Sequence, residues 1–205
     1  MHPEILTKEQ VELLPLLQQF KREFYLVGGT AIALQIGHRR SIDFDLFKIS
    51  NLNSTRILKK ISSTKRQYII TRRVTEQINL TINEVKLTFF QFPHTIEAKK
   101  NFKDIFRMPD LLTLAAMKAF ALGHRAKWKD YVDLYFLLRD YHSLKEIINK
   151  ADTLFGQMFS GKLFCAQLAY HKNINFSEQV EYLPGFETDE QVIKDFLIET
   201  SLQIF

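Results

Sequence analysis

The stretch best equipped for chemistry is Gly28-Gly29-Thr30, with Asp43-Phe44-Asp45 beginning thirteen residues after Thr30. Two acids two apart on a strand share a face. At a rise of about 3.3 Å per residue their β-carbons lie roughly 6–7 Å apart. Both can then reach a pair of metal ions about 3.5–4 Å apart, the spacing of two-metal phosphoryl-transfer sites. Mg²⁺ takes one or two protein carboxylates and completes its shell with phosphate oxygens, so Asp43 and Asp45 are the expected metal ligands. Gly28 and Gly29 allow positive φ and close approach of a ligand. They feed a helix start, where free N–H groups favour phosphate. Thr30 is expected to add a hydroxyl donor, and Arg39 to reach phosphate or pair with a carboxylate. Ser41 suits a turn cap beside them, and His38 reads as structural. Alone, a Gly-Gly pair is usually only a turn and Asp-x-Asp only a solvated strand edge. In this order they could hold a polyphosphate between fixed dipoles and metal, which is most of what phosphoryl transfer requires.

The flanking residues predict the elements that position this set. Phe24-Tyr25-Leu26-Val27 is an apolar run entering the glycine turn, Thr30 to Ile36 a short helix stopped by Gly37, and 42–47 a strand with one acidic face. Upstream, Thr7 and Gln10 make a capping box for a helix that Pro15 is expected to kink or split. Residues 51–63 read as a helix with Ile57, Leu58 and Ile61 inward; 68–74, 78–82 and 85–92 read as strands, with Asn83-Glu84 a hairpin turn. Beyond Pro93 the pattern turns helical: 111–122, 127–139, a capping box at Ser143 and Glu146, then 152–170 and 189–203, the last opened by Thr188 with Gln191. Phe155, Phe159 and Phe164 fall at helical spacing and are assigned to the core. The expected organisation is an α/β core over 1–97 and a helical subdomain over 98–205 that completes the cleft.

Composition sets the class. The chain has 205 residues, 46% hydrophobic and 25% charged, which is that of a soluble globular protein. No window of 18 apolar residues is present, and the N-terminus lacks a signal-peptide layout. Cys165 is the single cysteine, which excludes an intramolecular disulfide and a cysteine-based zinc site. A cytoplasmic location is the default expectation. The net charge of +5 hides an asymmetry: residues 1–150 carry 25 basic and 15 acidic side chains, residues 151–205 three and eight. A basic half suits a polyanion such as RNA or a nucleotide, although a solvated basic face is the plain alternative.

The runs Val27-Gly28-Gly29-Thr30-Ala31-Ile32-Ala33-Leu34, Gly37-His38-Arg39, Ser41 and Asp43-Phe44-Asp45-Leu46-Phe47 resemble the signature of the AbiEii/AbiGii-type toxins. That family belongs to the DNA polymerase beta-like nucleotidyltransferase superfamily. Ala116-Met117-Lys118-Ala119, Arg125-Ala126-Lys127-Trp128-Lys129-Asp130 and Asp133-Leu134-Tyr135 are similar to its later motifs, so the resemblance spans about residues 20–140. It implies a mixed sheet with flanking helices and a helical C-terminal part. It also implies a divalent cofactor (Mg²⁺ or Mn²⁺), an NTP substrate, an RNA acceptor such as a tRNA end, and a cognate antitoxin. By the same resemblance Lys118 contacts the triphosphate and Asp130 activates or positions the acceptor. From the residues themselves, Lys118 in an apolar helix must either snorkel to solvent or meet an anion. Asp130 could simply pair with Lys127 at the surface, and Asp133 lies one turn away. One departure stands out. Thr88 occupies the strand position where many nucleotidyltransferases carry a third carboxylate, commonly the general base. Without that acid, Asp130 takes the role, the enzyme is slow, or the fold is a nucleotide- or RNA-binding module without catalysis. A protein acceptor is the third alternative.

Overall fold

The computed structural model describes residues 1–203, which divide into two compact units, 1–110 and 111–203. In the first, helix α1 (Lys8–Gln18) is capped by Thr7 and Gln10 in the reciprocal arrangement the sequence predicts. Pro15 does not split it: α1 runs on to Gln18 as one helix, with Leu13, Leu14, Leu16 and Leu17 buried. The burial of that leucine face outweighs the one hydrogen bond that proline removes.

A five-stranded mixed sheet forms the body of this unit, in the order β1 (Tyr25–Val27), β2 (Phe44–Lys48), β5 (Val85–Gln91), β4 (Gln77–Ile82), β3 (Ile69–Val74). Only β2 and β5 run parallel; the other neighbours are antiparallel. The pleat sends Leu46, Leu80, Leu87 and Phe89 to a fully buried face. There Phe20 and Phe24 pack on Phe89, with ring centroids 4.9 and 5.2 Å away. Helix α3 (Ser54–Ser62), capped by Asn53, adds Ile57 and Ile61 to the buried set; Leu58 is only half-buried. Asn83 and Glu84 both take positive φ, 48° and 66°, between paired Ile82 and Val85. That is the backbone of a two-residue hairpin turn, made here without glycine.

Residues 98–110, which the sequence pattern groups with the helices, pack with the sheet. They form a hairpin of β6 (Lys100–Phe102) and β7 (Phe106–Met108), and β7 lies beside β1. Strands of three residues are too short to carry a readable period-two alternation.

The second unit is helical: α4 (Leu111–Leu122), α5 (Trp128–Asp140), α6 (Leu144–Phe155), α7 (Gly161–Ala169) and α8 (Glu190–Leu202). Ser143 and Glu146 form the expected capping box. The single helix expected over 152–170 is two, because Gly156, at φ 53° and ψ −131°, ends α6. Asp189, not Thr188, caps α8, its carboxylate accepting from the Gln191 N–H at 2.7 Å. Phe155 and Phe164 are buried, and Phe155 stacks on Phe120 at 4.2 Å, as core packing predicts, whereas Phe159 is only half-buried. Among the described residues no helix is long and apolar enough to cross a membrane.

Candidate nucleotide-binding site

The diglycine and the acid pair meet because β1 and β2 are paired antiparallel with Val27 opposite Asp45. Gly28 follows Val27 directly and opens helix α2 (Gly28–Ile36), so the helix start is brought to the acid strand. The contact is close. A β-carbon on Gly28 would stand 2.4 Å from Asp45 Oδ2, and the residue has φ +73°, a conformation that favours glycine. A β-carbon on Gly29 would likewise meet Arg39 Nη2 at 2.4 Å and Ser41 Oγ at 3.2 Å. The glycine pair is therefore a seat for the Asp45 carboxylate and the Arg39 guanidinium, which only residues without side chains allow.

Asp43 precedes strand β2, which begins at Phe44. The alternation still holds: Phe44 and Leu46 are buried, while Asp43 and Asp45 are half-buried. Thr30, expected as a ligand donor, is 1% exposed and turned inward. Its hydroxyl donates to the Asp43 carbonyl oxygen. It also lies 2.9 Å from the Ser41 hydroxyl, which can donate in return. Gln10, from α1, donates to the Ser41 carbonyl at 2.8 Å. Thr30, Ser41 and Gln10 thus fix the backbone that carries Asp43. No sequence signal pointed to Gln10 beyond its capping role. Arg39 is 1% exposed and donates to the Arg40 carbonyl at 2.8 Å. His38 is fully buried, in keeping with a structural role.

Strand register brings Thr88 of β5 opposite Asp45. The position beside the acid pair that a third carboxylate would fill is thus held by a hydroxyl. Among the described residues no group of three or more Asp, Glu, His or Cys could hold a metal ion. The donor set at the site is two hard carboxylates. That suits a Mg²⁺-type ion taking its remaining ligands from phosphate and water, and does not suit a metal enclosed by protein.

In the second unit, Lys118 of α4 is buried and its ammonium lies 2.5 Å from Asp130 Oδ1 and 2.8 Å from Asp133 Oδ2, both on α5. The anion that this lysine requires is present as two carboxylates one helical turn apart. Arg125 adds a contact to Asp130 at 3.1 Å. Burial pushes the Asp130 carboxyl up, but the Lys118 and Arg125 charges outweigh it and hold it below the usual carboxylate range. Asp130 is accordingly an anion at neutral pH and a weak proton acceptor. Lys127 pairs not with Asp130 but with Glu178, at 2.5 Å.

Residues 15–197 match the family model described as nucleotidyl transferase AbiEii toxin, type IV TA system. The chain belongs to that family. It is a toxin-type nucleotidyltransferase. A relative from Aquifex aeolicus (strain VF5), the uncharacterized protein aq_aa25, is 29% identical, over 93% of this chain and 88% of its own length. The MenT4 nucleotidyltransferase toxin of Mycobacterium tuberculosis H37Rv shares the fold of this AbiEii-family chain. Its TM-score is 0.62 at 12% identity, over 94% of this chain and 81% of MenT4. JHP933 from Helicobacter pylori gives 0.56 at 17% identity, over 96% and 91%. At these identities the structural likeness speaks to fold alone.

Proposed function

We propose that this AbiEii-family chain transfers a nucleotidyl group from an NTP to a hydroxyl at the end of an RNA, a tRNA end being the favoured acceptor, with Asp43 and Asp45 holding the divalent metal. The observation that carries the reading is the contact of the Asp45 carboxylate with Gly28 at the start of α2. It aligns an acid strand with a helix N-terminus, so that metal ligands and phosphate-binding N–H groups face one spot. The acceptor oxygen attacks the α-phosphorus, the bond to the α–β bridging oxygen breaks, pyrophosphate leaves, and the hydroxyl proton passes to solvent. When bound, Mg²⁺ or Mn²⁺ would neutralise triphosphate charge and polarise the phosphoryl oxygens.

The protein's own contributions are positional. Gly28 and Gly29 seat the Asp45 carboxylate and the Arg39 guanidinium at the helix start, Thr30 and Ser41 fix the Asp43 backbone, and Arg39 supplies positive charge. The resemblance adds Lys118 as a triphosphate contact and Asp130 as a residue acting on the acceptor. The cellular setting is a toxin opposed by a cognate antitoxin, in the cytoplasm.

The test is to incubate the protein with α-labelled NTPs, Mg²⁺ and total RNA. Label is expected in RNA, falling by about 10²-fold or more in Asp45→Ala, the scale of losing a charge-stabilising group. Absence of label transfer from the wild type, or an Asp43→Ala variant as active as the parent, would overturn the proposal.

Thr88 opposite Asp45 favours a second reading, a nucleotide-binding module without turnover. It predicts NTP binding by calorimetry with no product under any divalent metal. Label appearing on polypeptide instead of RNA would mark a protein acceptor.

A further inference from the structure

The sheet of the first unit has a second face, and its residues differ sharply from those of the core. Strand pairing arranges this face in rows. One row runs Asp45, Thr88, Asn79, Arg72 across β2, β5, β4 and β3. The adjacent row, two residues along, begins Phe47, Phe90. Cross-strand partners point to the same side, so both rows lie on the side of the acid. Phe47 and Phe90 are half-buried, their centroids 5.1 Å apart at 66°. Arg72 is exposed, as is Lys86, two residues before Thr88 on β5. The intervening side chains are amides and hydroxyls; Gln77 donates to Asn79 Oδ1 at 2.8 Å, which orients the Asn79 amide.

Two half-buried aromatic rings, both also packed on the buried Phe92, an oriented amide and two exposed cations on one sheet face are the chemistry of a single-strand platform. Bases stack on rings, amides read base edges, and cations meet phosphates. The surrounding charge agrees, since residues 1–110 carry 18 Lys and Arg against 11 Asp and Glu. A second copy of this chain would set like charge against like charge. A duplex presents no unstacked base to Phe47 or Phe90.

We infer that this face is the bed on which a single-stranded RNA end lies. One base rests on Phe47 and Phe90, and the phosphates pass Arg72 and Lys86. Asp45 is one row from the rings, roughly 6–7 Å at the rise of a strand, so the terminal hydroxyl of that strand arrives beside it. The inference rests on the RNA acceptor proposed above and names the residues that hold it.

Fluorescence anisotropy with a labelled twelve-nucleotide single strand and a hairpin of the same composition tests it on the full chain. The wild type is expected to prefer the single strand. Arg72→Ala with Lys86→Ala, both exposed and so compatible with folding, should make the log–log salt dependence shallower by about 1.4, two phosphate contacts on a single strand. Phe90→Ala should weaken binding by about fivefold to a hundredfold, with Phe90→Tyr restoring it. Asp45→Asn should bind as the wild type does while transferring nothing. An unchanged salt slope in the Arg72/Lys86 variant, equal affinity for the hairpin, or light scattering showing that this face closes a dimer would overturn the inference. The two readings fail separately. Label transfer to RNA that is indifferent to Arg72, Lys86 and Phe90 removes the platform and leaves the activity. Single-strand binding through those residues with no label transfer leaves the platform and removes the acceptor.

Discussion

Gly28 lies against the Asp45 carboxylate so closely that a β-carbon would stand 2.4 Å from Oδ2. Two penalties coincide there, because Gly28 also has φ +73°. In Gly28→Ala the methyl must displace the carboxylate or the helix start, and the left-handed backbone costs about 1–2 kcal/mol. We predict a modest fall in thermal stability together with a loss of transfer of about 10²-fold, since a misplacement near 1 Å costs that much in a positioned site. Thermal melts and labelled-NTP assays on the same preparation check this. A variant that is less stable yet fully active would show that Asp45 tolerates being moved.

Thr30 makes a second separable prediction. Its hydroxyl bonds the Asp43 carbonyl and faces the Ser41 hydroxyl in a buried setting. Thr30→Val keeps the shape and leaves both partners unsatisfied, at a cost of about 1–3 kcal/mol. Thr30→Ser should restore both stability and activity. If Thr30 positions Asp43 and does not touch ligand, Thr30→Val lowers kcat more than it raises KM for NTP. A pure KM effect would assign the hydroxyl to the nucleotide instead.

The elements around the acids were legible because each carried a local signal: an apolar run, a diglycine, period-two alternation, a helix-ending Gly37 at φ +74°. The hairpin at Asn83-Glu84 was legible from its spacing between two strand patterns. What sequence could not show were relations between distant residues. The parallel pairing of β2 and β5 joins residues more than 40 positions apart, and only the family resemblance, not any local signal, put Thr88 with the acid pair. The inward turn of Thr30 and the support from Gln10 are likewise tertiary facts. Pro15 and Gly156 show how little a breaker residue says without its context. The proline sits within a buried leucine helix, whereas the glycine, in a run that reads as one helix, takes a positive φ and ends it.

Glu178 carries a pH dependence. Burial raises its carboxyl pKa, but hydrogen bonding and charge from Lys127, then Lys129, prevail and bring it down to about 2. A carboxylate depressed in the folded state stabilises fully above its unfolded value near 4.5, and the contribution is lost as pH falls through the folded value. Because its side chain is 34% exposed, solvent screening reduces the effect to about 1 kcal/mol. Urea unfolding should find Glu178→Gln less stable than wild type at pH 6, with the gap closing between pH 4.5 and 2. A gap that persists at the acid end would mean that packing, not charge, is what Glu178 supplies.

The Lys118 cluster invites the prediction that separates architecture from chemistry. One buried ammonium lies between two buried carboxylates, at 2.5 and 2.8 Å, and the half-exposed Arg125 lies 3.1 Å from Asp130. Lys118→Met takes the shared ammonium from two buried carboxylates, so it should destabilise by about 3–5 kcal/mol. Removing the charges together, in Lys118→Met with Asp130→Asn and Asp133→Asn, should recover much of that loss, because the cost lies in the buried negative charge left behind and not in the missing lysine. Urea midpoints of the single and triple variants measure the recovery. The triple variant then isolates the assignment that the resemblance gives to Lys118. If the lysine serves only its two aspartates, the restabilised protein binds NTP as the wild type does. If it also meets the triphosphate, KM for NTP rises although the fold has been restored.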